Sequence, residues 1–164
     1  DRVLVSVAEH HSNFVPWQQL RERTGVELAL IPVTDSGELD LSCLSGLIGS
    51  TCRLVAVTQC SNVTGAWTDV AAIVAAACKV GARVLLDGAQ AVQHGPQDVQ
   101  ALGVDFYAFS GHKCFGPGGI GVTDEYIGSH YFKKLTQMEM TFGDTLHHLG
   151  EVSSRMQDTA GVFA

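Results

Sequence analysis

Apolar residues in this chain fall into short, nearly continuous runs separated by polar clusters. The runs are RVLVSV (2–7), VELALIPV (26–33), RLVAVTQ (53–59), RVLLD (83–87) and FYAFS (106–110). Such runs, rich in β-branched residues and bounded by turn formers, predict strands buried on both faces. A different spacing lies between them. Apolar residues at Phe14, Val15, Trp17 and Leu20 predict a helix over 14–23 that Gly25 stops. Asp40 is placed to cap a short helix running to Leu47. Asp69 is placed to cap an alanine-rich helix over 70–80 that Gly81 ends. TDSGE reads as a turn and SNVTGAWTD as a loop, and GIGV (119–122) adds a further strand.

Buried strands alternating with helices of about ten residues predict an α/β fold. The expected architecture has three layers, a mainly parallel central sheet with helices on both faces. Ligands in such sheets sit at the carboxyl ends of the strands. Here each of four predicted strands runs into a polar cluster: EHHSN, QCSN, DGAQ and SGHK. Beyond residue 123 the pattern fades. DEYIGSHYFKKLTQMEMTF is expected to hold a helix, and the remainder to be poorly ordered or dependent on a missing partner. The predicted division is therefore a core over 1–122 and a divergent segment over 123–164.

Composition narrows the function. A chain of 164 residues with 46% hydrophobic and 16% charged residues is an ordinary globular domain. Its net charge of −7 is scattered, which argues against a nucleic-acid partner, since phosphate binding needs clustered Lys and Arg. The longest apolar run, VAAIVAAACKVG, falls far short of a bilayer span, and DRVLVSVAEHH is not a signal peptide. No membrane partner and a cytoplasmic location are expected. Cys43, Cys52, Cys60, Cys78 and Cys114 form no CxxC pair and no Cys/His spacing, so reduced thiols and no metal site are expected. Asp1 in place of an initiating methionine suggests an excised or processed chain. No G-x-G-x-x-G follows the first strand, which disfavours a dinucleotide-binding domain.

The polar strand ends carry the candidate chemistry. Lys113 stands between FYAFS and a glycine-rich turn, where partial desolvation turns a lysine into a usable nucleophile toward carbonyls. A solvated surface lysine is the plainer reading, which the flanking SGH and GPGG weaken. Ser110, Gly111 and His112 offer a hydroxyl, an open backbone N–H and an imidazole, all phosphate ligands. Asp87 ends a buried strand and needs a cationic partner or a helix terminus to cap. A protonated pyridine nitrogen is one such partner. Gln90 fits a capping box or a hydrogen bond to a ligand oxygen. His10, beside His11, can stack on a flat ring or carry protons near neutral pH, or simply belong to a polar loop. Asn62 offers a neutral donor to a carboxylate or ring oxygen, or ordinary turn chemistry.

EHHSNFVPWQ, SNVTG, DGAQAV, DVQALGVDFYAFSGHK and GPGGIGV together resemble the pyridoxal-phosphate domain of the cysteine desulfurase/selenocysteine lyase group of class V aminotransferases. DGAQ and SGHK, with Asp87 and Lys113 26 positions apart, are specific to that group. The likeness covers residues 1 to 122 and implies a fold type I large-domain core holding pyridoxal 5'-phosphate. It implies Lys113 as the Schiff-base lysine, Asp87 as the pyridinium partner and Gln90 as donor to the phenolic oxygen. It further implies His10 as the stacking residue, Ser110 and His112 as phosphate ligands, and Asn62 as a contact to the substrate carboxylate. The implied reaction takes L-cysteine to L-alanine with sulfur transfer. Its partners are a cysteine or selenocysteine substrate, a sulfur-acceptor protein and a second copy in a homodimer. The group's N-terminal phosphate loop and C-terminal persulfide cysteine have no counterpart in the matched stretch. Two alternatives are therefore a non-catalytic chain that binds cofactor or a full-length partner, and another class V aminotransferase activity.

Overall fold

The computed structural model describes residues 1–114 in full, together with the backbone of three later strands at 120–127, 131–134 and 138–139. The described elements, in order, are β1 (Arg2–Ser6), α1 (Val15–Thr24), β2 (Glu27–Ile31), α2 (Leu44–Leu47), β3 (Cys52–Thr58) and α3 (Val70–Cys78). They continue with β4 (Arg83–Asp87), α4 (Val99–Leu102), β5 (Phe106–Ser110), β6 (Ile120–Ile127), β7 (Tyr131–Lys134) and β8 (Met138–Glu139). One sheet joins them in the order β2-β1-β3-β4-β5-β6-β7, with β8 pairing β6. The first five strands of that order are parallel, and β6, β7 and β8 run antiparallel. The expected mainly parallel α/β sheet is therefore the observed one.

Period-two alternation sends neighbouring residues of each strand to opposite faces. On one face Val3, Val5, Leu54 and Ala56 pack with Trp17 of α1. On the other, Leu4, Val55, Val57, Val84 and Leu86 pack with Leu44 of α2 and Ile73 and Ala77 of α3. Both faces are thus covered, which is why the strands read as continuous apolar runs rather than alternating ones. Helix ends follow their predicted caps. The Asp69 carboxylate accepts the Ala72 N–H at 3.0 Å, and Gly25 closes α1 at φ 74°, a left-handed conformation that glycine adopts without strain. Asp40 caps a 3-10 turn at Leu41–Cys43 that leads into α2.

The region after 122 departs from expectation. The GIGV strand runs on to Ile127, pairing Ser110 with Gly121 and Phe106 with Glu125. Where a helix was expected, Tyr131–Lys134 and Met138–Glu139 pair with β6 as strands. Intrinsic propensity gave way to tertiary context, because the free edge of β5 offers TDEY a ladder that local sequence does not reveal. The expectation of poor order over 123–164 otherwise falls outside the described residues.

Candidate functional site

The parallel register brings the carboxyl ends of β1, β3, β4 and β5 to one edge, with Thr58 opposite Asp87 and Asp87 opposite Ala108. Two backbone bonds carry the ladder just past the strands: Gln59 N–H to the Asp87 carbonyl and Gly88 N–H to the Ala108 carbonyl, each 2.8 Å. Beyond that edge each chain segment turns into a short 3-10 turn or loop. These are His11–Asn13 after β1, the 59–68 loop after β3, Ala91–Gln93 after β4 and Gly111–Cys114 after β5. The turns after β4 and β5 pack against each other.

Asp87 closes β4 half-buried, and its Oδ1 accepts the Ala89 N–H at 2.9 Å. No helix begins at Asp87, so the capping alternative is reduced to this one local bond, the next turn starting only at Ala91. Burial raises the Asp87 carboxyl above its ordinary range, while the charges of Lys113 and His10 pull it down. Lys113, in the turn directly after β5, is half-buried. His10 caps the turn at His11–Asn13: its Nδ1 accepts the Ser12 N–H at 3.2 Å and lies 2.7 Å from Ser12 Oγ. With Nδ1 an acceptor, the proton of the neutral ring belongs on Nε2. Desolvation lowers the His10 pKa, with help from His11 and Lys113 and against the pull of Asp87. The His10 and His11 rings lie 4.1 Å apart, tilted by 37°. Asp87, Lys113 and His10 thus lie at or just beyond the carboxyl ends of β4, β5 and β1, on one edge of the sheet.

The other predicted residues are placed less tightly. Gln90 leads into the turn after β4 without capping it, and its Oε1 accepts from Gln93 Nε2 at 2.6 Å, so the capping box is not made. Ser110 ends β5 half-buried, whereas His112 is exposed. Asn62 is exposed in the loop after β3, where Ser61 Oγ accepts the N–H groups of Val63 and Thr64, both at 3.2 Å.

Three features escaped the sequence reading. Glu9 was only one letter of a polar cluster, yet its carboxyl is enclosed and accepts from Ser6 Oγ, Asn13 Nδ2 (2.6 Å) and Thr58 N–H (2.8 Å). Burial, opposed by those three bonds, pushes its pKa up to about 7. A buried chain of polar side chains runs from Tyr107 Oη to Gln59 Oε1 at 2.8 Å, then from Gln59 Nε2 to Gln97 Oε1 at 2.9 Å. Gly88 lies against Tyr107: a Cβ added there would stand 2.1 Å from the ring's Cζ and hydroxyl. Long-range pairing sets Thr58, Gln59, Gln97 and Tyr107 against their partners, and sequence spacing carries no sign of it. Among the described residues no group of three or more His, Cys, Asp or Glu is arranged to hold a metal ion, and no helix is long and apolar enough to cross a membrane.

The family model for class V aminotransferases matches residues 1–160. The chain belongs to the class V aminotransferase family. Members of this family are pyridoxal-phosphate enzymes. The chain is 54% identical over 122 residues to a cysteine desulfurase of Yersinia pestis, a match covering 74% of this chain and 30% of that protein. A cysteine desulfurase of Dickeya dadantii is 55% identical over the same length and shares. Among solved structures, the cysteine desulfurase CsdA from Escherichia coli superposes with a TM-score of 0.73 at 34% identity, over 92% of this chain and 45% of that one. The apo cysteine desulfurase from Thermococcus onnurineus gives 0.70 at 29% identity, over 89% and 43%. This class V chain thus spans less than a third of the length of the curated relatives it matches.

Proposed function

We propose that this chain is the cofactor-binding portion of a pyridoxal-phosphate-dependent cysteine desulfurase, acting on L-cysteine or selenocysteine. The observation that carries the reading is the meeting of Asp87, Lys113 and His10 at one strand edge, each within reach of the others' charge. The donor set suits the cofactor. A half-buried carboxyl at a strand end gains from a cationic ring nitrogen, a neighbouring amine can hold the aldehyde carbon, and an imidazole offers a flat face. When bound, pyridoxal phosphate supplies the electron sink for charge released at the substrate α-carbon.

The chain's own groups do the rest. Lys113 would hold the cofactor through Nζ and, once released from it, would take up or return a proton there. Asp87, whose Oδ1 accepts the Ala89 N–H, would pair with the cationic ring nitrogen. His10 covers the ring and excludes water, and its lowered pKa keeps the imidazole neutral near pH 7, with its proton on Nε2. Gln90 donates to the phenolic oxygen, Ser110 and His112 bind phosphate, and Asn62 meets the substrate carboxylate. The sulfur of L-cysteine would pass to a cysteine thiol of an acceptor protein, giving a persulfide there and L-alanine as the other product, and the working form is a cytoplasmic homodimer. This assignment rests on the motif likeness to the desulfurase relatives, and sedimentation of the loaded protein tests the dimer.

The decisive test is borohydride reduction after adding pyridoxal phosphate, followed by peptide mass mapping. The expected adduct lies on Lys113, and an adduct that persists in Lys113→Ala overturns the assignment. Sulfide release from L-cysteine then tests the reaction. Pyruvate formed from L-alanine with glyoxylate as amino acceptor, without sulfide from L-cysteine, would instead point to another aminotransferase activity.

A further inference from the structure

We infer that Glu9 is a positioning residue for His10, fixing the imidazole over the strand edge by taking over hydrogen bonds that β1 stops supplying there. The inference rests on the reading of His10 as a cofactor contact. In parallel strands the N–H groups of successive residues point to alternate neighbours. Gln59 donates to Asp87 on the β4 side, so Thr58 directs its N–H to the β1 side. The β1–β3 pairing has run out by then, its last partners being Val5 and Ala56. Glu9 Oε1 fills the vacancy at 2.8 Å, reaching across 49 residues of chain.

The same oxygen accepts the hydroxyl of Ser6, the last residue of β1. Oε2 accepts from Asn13 Nδ2 at 2.6 Å, and Asn13 closes the 3-10 turn that His10 opens. Asn13 Oδ1 in turn accepts the Trp17 Nε1–H at 3.2 Å, which ties α1 to the assembly. Ser6 and Asn13 are both buried. The residue before His10 is therefore pinned to β1, β3 and the turn at once, while Ser12 fixes the ring from the other side. Both oxygens must accept, and a glutamine offers only one acceptor oxygen. Asn13 cannot turn its amide to compensate, because its oxygen is committed to Trp17.

The experiment titrates pyridoxal phosphate into wild type, Glu9→Gln, His10→Ala and the double variant, reading the visible band for affinity. Borohydride mass mapping runs alongside. Glu9→Gln is expected to weaken cofactor affinity roughly tenfold, the scale of one lost hydrogen bond to a charged group. The Lys113 adduct should still form. In the His10→Ala background the same change should add less than about twofold, because a residue acting through another loses its effect when that partner is gone. Independent, additive losses overturn the inference, as does a Glu9→Gln protein that binds like wild type while His10→Ala is weakened. A His10→Ala protein with unchanged affinity overturns the reading of His10, and the inference with it. Should Glu9→Gln fail to fold, Asn13→Ala removes one of the three bonds and is held to the same test against His10→Ala.

Discussion

Gly88 makes a sharp test because its reason for being glycine is packing rather than backbone conformation. It is not among the glycines with positive φ, so alanine meets no backbone penalty there. What it meets is Tyr107. An added Cβ would stand 2.1 Å from Cζ and Oη and 2.6 Å from Cε1, where carbon contacts normally settle at about 3.5–4.0 Å. Something must move by roughly 1.5 Å. The ring cannot swing freely, since Tyr107 is 1% exposed and its hydroxyl is held by Gln59. Overpacking of this kind costs about 1–3 kcal/mol, and losing the Tyr107–Gln59 bond adds about 1 kcal/mol. For a domain of this size a loss of about 3 kcal/mol lowers the melting temperature by about 6–12 °C.

Thermal unfolding followed by circular dichroism checks Gly88→Ala, and a double-mutant cycle with Tyr107→Leu assigns the cause. The smaller side chain should make the alanine nearly neutral, giving a coupling energy of about 3 kcal/mol. Additive effects, or a Gly88→Ala protein within about 0.5 kcal/mol of wild type, would refute the packing argument.

The remaining predictions are narrower. Tyr107→Phe leaves the buried Gln59 Oε1 without its donor and should cost about 1–3 kcal/mol in chemical denaturation, with Lys113 labelling unchanged. Asp69→Ala removes the N-cap of α3 and should cost about 1 kcal/mol by the same measurement. Asp87→Asn should sharply weaken cofactor affinity while leaving the apo fold intact, because the Ala89 N–H still finds an oxygen. Glu9 has a folded pKa of about 7 against 4.5 for the free side chain, so the folded state binds the extra proton. That stability is full below pH 4.5 and lost as pH rises to about 7, by up to ~3 kcal/mol. Denaturation curves for Glu9→Gln across this window should lose that part of the slope.

The fold was legible because buried parallel strands leave a clear trace: 53–59, 83–87 and 106–110 carry the unbroken apolar runs LVAV, VLL and FYAF, and they became β3, β4 and β5 almost residue for residue. Caps were legible for the same local reason, since Asp69 and Gly25 act within one turn of themselves. Asp87, Lys113 and His10 were legible as strand-end residues once the sheet was inferred, because register then carries them to one edge. Glu9, Gln59 and Gly88 were not. Their partners, Thr58, Tyr107 and Gln97, lie on other strands and loops, and local periodicity says nothing about which side chain crosses a ladder. The continuation of GIGV beyond 122 and the two strands after it were missed on the same ground: TDEY is strand because β5 offers an edge to pair with.

The two enclosed carboxyls place an energetic demand on this edge. Glu9 and Asp87 are each raised by burial, and the charge of Asp87 raises Glu9 further. Glu9 is relieved by three donors within the chain, but Asp87 has one backbone N–H together with the charges of Lys113 and His10. The two carboxyls therefore divide the work. Glu9 completes the scaffold, and among the described residues Asp87 has the Ala89 N–H as its one hydrogen-bond donor. A cationic group brought to Asp87 offsets the cost of its burial and favours its ionised form, so binding there should lower the pH at which Asp87 titrates.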